Sequence, residues 1–173
     1  MEIRPVAQSV LAQNIPLELQ GIGHWVDWQY ELRQGANGDC KWTKVPYRPN
    51  GFHASSIDPA TWSDFDDCNK AYQTTKKFDG IGFVLSTDGT YGDPFFAVDL
   101  DHCRDDLGGY IEPWAKDIID RFGSYTEVSP SGTGIHIFGK GKLPGRGRKD
   151  SKLGLEVYDH ARYMTVTGNV ICL

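Results

Sequence analysis

Phe95-Phe96-Ala97-Val98-Asp99-Leu100-Asp101 is the stretch on which the reading of this chain turns. It is short, apolar and followed by a loop, the pattern of a buried strand that ends in acids. Side chains alternate along a strand. Asp99 and Asp101 therefore project to one face with Phe95 and Ala97, while Phe96, Val98 and Leu100 form the opposite, core-facing row. Two carboxylates at one strand end repel each other unless a cation or a basic group lies between them. Magnesium and manganese, which prefer hard oxygen ligands, would relieve that repulsion. An isolated Asp-x-Asp more often caps a loop, here Asp101-His102-Cys103-Arg104, and pairs with nearby arginines. A third acid is needed to make the pair a metal site.

Downstream, Ser129-Pro130-Ser131-Gly132-Thr133-Gly134-Ile135-His136-Ile137 joins two strands through a small loop. Its glycines let backbone N–H groups approach a phosphate, and Ser129, Ser131 and Thr133 add hydroxyls. It is not a Walker loop, because no Gly-Lys-Ser/Thr ends it. His136 follows on a strand, where its ring could donate to a triphosphate oxygen. A structural histidine beside a turn is the competing reading. A basic strip comes next, with Lys140, Lys142, Arg146, Arg148, Lys149 and Lys152.

Leu155-Glu156-Val157-Tyr158-Asp159 is a second apolar strand that carries acids. Glu156 and Tyr158 face one side, and Leu155, Val157 and Asp159 the other. If Glu156 lies beside the aspartate strand, three carboxylates converge, which suits two-metal catalysis of phosphoryl transfer. Asp159 is the competing third ligand. Arg162 and Tyr163 follow at once and could line a nucleotide pocket.

Outward from these motifs, the first twenty residues suggest a short helix ending near Pro16. Residues 24–33 and 40–47 are aromatic and β-prone, and Gly35-Ala36-Asn37-Gly38-Asp39 between them is rich in turn formers, which predicts a hairpin. Asp58-Pro59 reads as the cap and first turn of a helix running to about residue 75. A buried strand is expected over 81–86, then a turn around Thr87-Asp88-Gly89. Ile111, Trp114, Ala115, Ile118, Ile119 and Phe122 recur at helical spacing over 110–122, with Gly123 placed to end that helix. Further strands are expected over 124–128, 134–139, 155–159 and 163–167. Many strands around one or two long helices predict an α+β domain with an antiparallel or mixed sheet.

With 173 residues the chain can bury one core of its own. No apolar run is long enough to span a bilayer, and the start lacks a signal core, so a cytoplasmic location is expected and no membrane partner. Cys40, Cys68, Cys103 and Cys172 are scattered, which predicts free thiols rather than a zinc knuckle. The net charge of −5 does not favour a broadly basic nucleic-acid surface. Acids gathered at a metal site lower the total, however, and the strip from Lys140 can still track phosphates.

The ordered set Phe-Ala-Val-Asp-Leu-Asp-His at 96–102, Ser-Pro-Ser-Gly-Thr-Gly-Ile-His-Ile at 129–137 and Glu-Val-Tyr-Asp-His-Ala-Arg-Tyr-Met-Thr-Val-Thr-Gly at 156–168 resembles the archaeo-eukaryotic primase superfamily. Within it the likeness is to the primase–polymerases of phages and plasmids. Lys44-Val45-Pro46-Tyr47-Arg48-Pro49 and Ala54-Ser55-Ser56-Ile57-Asp58-Pro59-Ala60-Thr61-Trp62 resemble that group's N-terminal segment, so the likeness runs from about residue 25 to residue 168. It implies an RRM-like catalytic sheet with flanking helices over about 81–173 and a smaller N-terminal α/β unit over about 1–80. It implies that Asp99, Asp101 and Glu156 hold two divalent ions, Mg2+ or Mn2+. His136 with Ser129, Ser131, Gly132, Thr133 and Gly134 would grip the phosphates of an incoming dNTP or NTP. Arg162 and Tyr163 would lie near its sugar, with Tyr163 bearing on ribose choice. Lys44, Arg48, Lys140, Arg146 and Arg148 are candidate contacts to template or phosphate. The implied partners are single-stranded DNA template and primer–template duplex, with a helicase domain in a longer replication protein from which this part would be excised. Replication would take place in the host cytoplasm if the protein is phage-encoded.

Two other functions use the same residues. A non-catalytic RRM-like module would stack single-stranded bases on Trp25, Trp28, Tyr30 and Trp42. A metal-dependent nuclease would use the carboxylates to activate water.

Overall fold

The computed structural model describes residues 3–35, 37–87, 94–105 and 107–171. The N-terminal stretch leads to a 3₁₀ turn at Ala12–Asn14 and one helical turn, α1 (Leu17–Gln20). The 3₁₀ turn ends just before Pro16, near where a short helix is expected to end, and Pro16 is then the N-cap of α1. A residue without an N–H suits a helix start, where that donor would have no partner.

The hairpin forms as expected from β1 (Trp25–Gln34) and β2 (Cys40–Tyr47), paired antiparallel from Asp27↔Tyr47 to Gln34↔Cys40. Ala36 of its turn lies outside the described residues. Asp58 caps a 3₁₀ turn at Pro59–Thr61, accepting from the Ala60 amide at 3.1 Å. The expected helix does not run through. Ser63 exchanges both backbone bonds with Trp25, so α2 (Phe65–Thr75) starts only beyond it. Next comes β3 (Gly80–Leu85), buried along its whole length. Asp88 and Gly89 of the expected turn lie outside the described residues.

The strand β4 (Phe95–Leu100) stops one residue short of Asp101, whose amide bonds the Gly154 carbonyl at 2.8 Å. The helical spacing is realised in α3 (Pro113–Phe122), which starts later than expected, at its proline, and is closed by Gly123 at φ 53°. Then come β5 (Tyr125–Val128), β6 (Ile135–Lys140), β7 (Arg148–Asp150), β8 (Leu155–Tyr158) and β9 (Arg162–Val166). The strand β7 is absent from the sequence reading, since three consecutive charged residues carry no alternation signal.

These strands form two antiparallel sheets, ordered β2-β1-β3-β9 and β5-β6-β4-β8-β7. The fold is α+β, as expected. Two apolar layers place the acidic strand. Phe95 and Ala97, on the Asp99 side of β4, share a core with Phe138, Ile81, Phe83, Leu85, Met164 and Val166. Val98 and Leu100, on the other side, pack with Ile135, Ile137, Ala115 and Ile119 under α3. Each of these side chains larger than alanine contributes about 1.5–3 kcal/mol on burial. The register of β4 is therefore fixed from both faces, and a one-residue slip would exchange Asp99 with its apolar neighbours.

Candidate active site

The strand β4 runs down the middle of the second sheet, and its register builds the site. Asp99 stands opposite His136 on β6 and opposite Glu156 on β8. The pairing continues outward, Glu127 opposite His136 and Lys149 opposite Glu156. Directly opposed residues of antiparallel strands share a face. Glu127, His136, Asp99, Glu156 and Lys149 thus form one polar row across all five strands.

The inner end of the row is buried. His136 is 2% exposed and Glu127 0%. The His136 ring presents Nε2 to Asp99 Oδ1 at 3.5 Å and Nδ1 to Glu127 Oε1 at 3.4 Å. Glu127 accepts from the Thr167 amide at 3.0 and 3.1 Å, the Gly168 amide at 2.8 Å and the Tyr125 hydroxyl at 2.6 Å. Burial pushes the Asp99 carboxyl above its ordinary value, and the charges of Asp101 and Glu156 add to the rise while His136 and Lys44 oppose it.

The outer end is open. Glu156 accepts from the exposed Lys149 ammonium and from the Tyr158 hydroxyl, the latter at 2.9 Å. Partial burial works against its ionisation, but these two hydrogen bonds and the charges of Lys149 and Arg162 outweigh it, so its carboxyl lies below the usual range. Arg162 stacks on the Tyr158 ring at 4.8 Å.

Beside the row, the 129–134 loop is knit by a chain of hydroxyls. Ser129 Oγ lies 2.9 Å from Ser131 Oγ, which lies 3.1 Å from Thr133 Oγ1. Gly132 takes φ +80°, a conformation glycine adopts without strain. A Cβ on Gly134 would meet Leu100 O and Ser129 Oγ at 2.9 Å each. Arg104 holds the loop from outside, its Nη1 donating to Gly132 O at 2.7 Å and its amide to Thr133 O at 3.0 Å. That arginine serves the loop carbonyls and does not pair with the aspartates, as a loop-capping Asp-x-Asp would require.

Asp101 sits just past β4, exposed, and its charge acts on Asp99, Lys44 and Lys149. Half-buried Lys44, over the Trp28 ring at 5.9 Å, is near enough for Asp99 and Asp101 to offset part of the lowering that burial imposes on its ammonium. Arg48 follows β2, in a turn closed by its amide on Phe52 O. Lys140 pairs with Phe95 at the far end of β4, about 13 Å along the strand from Asp99, and its ammonium meets Glu18 at 3.1 Å. Arg148 is opposed to Val157 and so faces away from Glu156. With Arg146, Leu143 and Pro144 it lines a crevice of about 250 Å³. Asp159 is a structural group, buried, accepting from the Leu143 amide at 2.9 Å and lying 2.5 Å from His160 Nδ1. Tyr163 lies across β9 from Arg162, its ring against Gly82 and its hydroxyl buried without a partner among the described residues. Burial and the nearby Tyr30 push its phenol up. Trp25, Trp28 and Tyr30 are buried, so they offer no stacking surface for bases. Cys40, Cys68 and Cys103 are free thiols, and Cys172 lies outside the described residues.

The donor set suits a hard divalent ion: Asp99 and Glu156 are cross-strand neighbours, Asp101 follows two residues on, and the Asp99 carboxyl is raised first by burial and then further by the charges of Asp101 and Glu156. Among the described residues, however, no three acid, histidine or cysteine side chains are already drawn together as ligands. Glu156 is turned onto Lys149 and Tyr158.

Two members of the row, Glu127 and Lys149, escape the motif reading. Hairpin arithmetic would have found Glu127, because closing 129–134 as the loop sets Val128 against Ile135 and Glu127 against His136. A charged residue within the otherwise uncharged strand Tyr125-Thr126-Glu127-Val128 was the other signal. Lys149 depends on β7, which left no signal.

No protein-family model matches the chain. A DNA primase-polymerase of Nitratiruptor phage NrS-1 is 40% identical to it over an alignment of 157 residues that covers 88% of this chain and 20% of that protein. The chain spans about a fifth of the length of this curated relative. An identity of that size over nearly the whole described fold, with the acidic strand, the serine–glycine–histidine loop and Glu156 in one sheet, makes the chain a primase–polymerase-type domain of the archaeo-eukaryotic primase kind.

Proposed function

We propose that the domain performs template-directed nucleotidyl transfer, as a DNA primase and polymerase, in the replication of a phage or plasmid. The observation that carries the reading is the cross-strand row that sets Asp99 between His136 and Glu156, beside a loop of hydroxyls and glycines. In this reading a primer 3′-hydroxyl, or a first nucleotide, attacks the α-phosphate of an incoming dNTP or NTP, and pyrophosphate leaves.

Asp99, Asp101 and Glu156 hold Mg2+ or Mn2+. Bound there, two such ions would acidify the attacking hydroxyl and neutralise charge on the leaving group. His136, Ser131 and the amides of the 129–134 loop grip the phosphates. Arg162, already beside Glu156, adds a cation to the nucleotide pocket. Lys44 is the candidate phosphate contact closest in charge to the acids. Tyr163 bears on the choice between ribose and deoxyribose. Single-stranded template and primer–template duplex are the macromolecular partners, and a helicase domain belongs to the rest of a longer protein. Among the described residues no helix is long and apolar enough to cross a membrane.

The test is an extension assay with a labelled primer–template, either metal, and each nucleotide type. Products longer than the primer support the reading. Shortened products would make the domain a nuclease, and a mobility shift without either would make it a binding module.

A further inference from the structure

We infer that Glu127 is a positioning residue, which holds the His136 ring in one orientation and so sets the direction of the phosphate grip. The inference rests on the nucleotide-transfer reading for its consequence, while the ring orientation can be measured independently of it.

Glu127 is fully buried, and a buried carboxylate costs several kcal/mol unless donors saturate it. A position that needed only packing would carry an apolar residue without that cost. Here the donors are supplied mainly by backbone. The Thr167 and Gly168 amides and the Tyr125 hydroxyl fix both carboxylate oxygens, and the remaining direction of Oε1 points to His136 Nδ1.

The backbone that supplies the amides is itself tied down. Leu11 donates to Thr167 O at 2.7 Å, Asn14 Nδ2 to Gly168 O at 3.1 Å, and Thr167 Oγ1 to Val128 O at 2.6 Å. Gly168 can have no Cβ, because one would fall 2.2 Å from Leu11 O. The N-terminal segment thereby braces the residues that brace Glu127. A carboxylate held this way accepts from Nδ1–H and keeps Nε2 aimed toward Asp99, so that the imidazolium form would present Nε2–H to an arriving phosphate. Free of Glu127, the ring could turn about its last bond, and its two nitrogens would exchange roles.

Two measurements test this. Long-range 1H–15N spectra of the unmodified protein, taken at mildly alkaline pH, should show His136 as the Nδ1–H tautomer; an Nε2–H ring overturns the inference whatever the enzyme's activity. Binding of a non-hydrolysable dNTP analogue should weaken about tenfold in Glu127→Gln, with the melting temperature and circular dichroism checking the fold. In a His136→Ala background the same substitution should weaken binding no further. An unchanged affinity in the folded single variant, or full additivity in the double one, overturns the inference. If Glu127→Gln does not fold, the wild-type spectrum decides it alone. Wild-type protein that shows the Nδ1–H ring but binds no nucleotide would leave Glu127 as the ring's positioner and remove the nucleotidyl-transfer reading.

Discussion

The polar row across the second sheet is built in opposite ways at its two ends. At one end Glu127 and His136 are sealed, and Glu127 is held by the Thr167 and Gly168 backbone amides, which cannot leave, beside the Tyr125 hydroxyl. At the other, Glu156 is held by Lys149, a flexible ammonium on an exposed edge strand. Both ends satisfy a carboxylate, but only one can release it. The contrast suits the proposed chemistry, which needs a fixed grip on phosphate at one side of Asp99 and an exchangeable acid at the other.

Substitutions can break that contrast. Among single substitutions at the two ends of the row, Glu156→Gln should have the largest effect, removing a charge that no neighbour replaces and reducing Mn2+-dependent incorporation by about a hundredfold, read from extension rates at fixed metal. Gly168→Ala should destabilise the sealed end by about 4 kcal/mol through its φ of +70° and the clash with Leu11 O. Gly145→Ala, near the open end and with nothing within 4 Å of its Cβ, should stay within about 0.5 kcal/mol of wild type. Urea midpoints measure both, and equal losses would contradict the division.

Asp27 sharpens the comparison, being as buried as Glu127 but supplied with no O–H or N–H donor among the described residues. It faces the Cys68 thiol, and burial pushes its carboxyl up to about 8. From the ordinary carboxyl range up to about 8, the unfolded chain has lost this proton and the folded chain keeps it. Its contribution to stability is therefore full below that window and is lost as pH rises through about 8. Asp27→Asn should stabilise the protein by about 2 kcal/mol above that pH and flatten the profile, as melting temperatures against pH would show. The smallest effect belongs to the open end. Lys149→Met should tighten Mn2+ binding about two- to fivefold, the worth of an exposed ion pair, when followed by electron paramagnetic resonance.

The legible parts of the molecule were those whose pattern is local. Alternation in β4 assigned Asp99 and its apolar neighbours to their faces, and the hairpin and the body of α3 follow from turn chemistry and helical spacing. Pairing across strands was only partly legible. Glu156 beside Asp99 was a condition in the sequence and becomes a register in the structure. Asp101 lies just beyond the strand, although its amide still bonds the Gly154 carbonyl in the β4–β8 register, a pairing no local pattern encodes. The start of α2 is displaced by another such pairing, the bridge from Ser63 to Trp25. Glu127 was within reach of hairpin arithmetic, whereas Lys149 acquires its place from the pairing of β7, which left no alternation to read.

The central claim is that Asp99 on β4 and Asp101 just past it serve nucleotide transfer. It is tested most directly by templated primer extension with Asp99→Ala/Asp101→Ala, purified and shown by circular dichroism to be folded. The account predicts extension by the wild-type domain with Mg2+ or Mn2+ and none by the variant. Undiminished incorporation by the folded variant would contradict it.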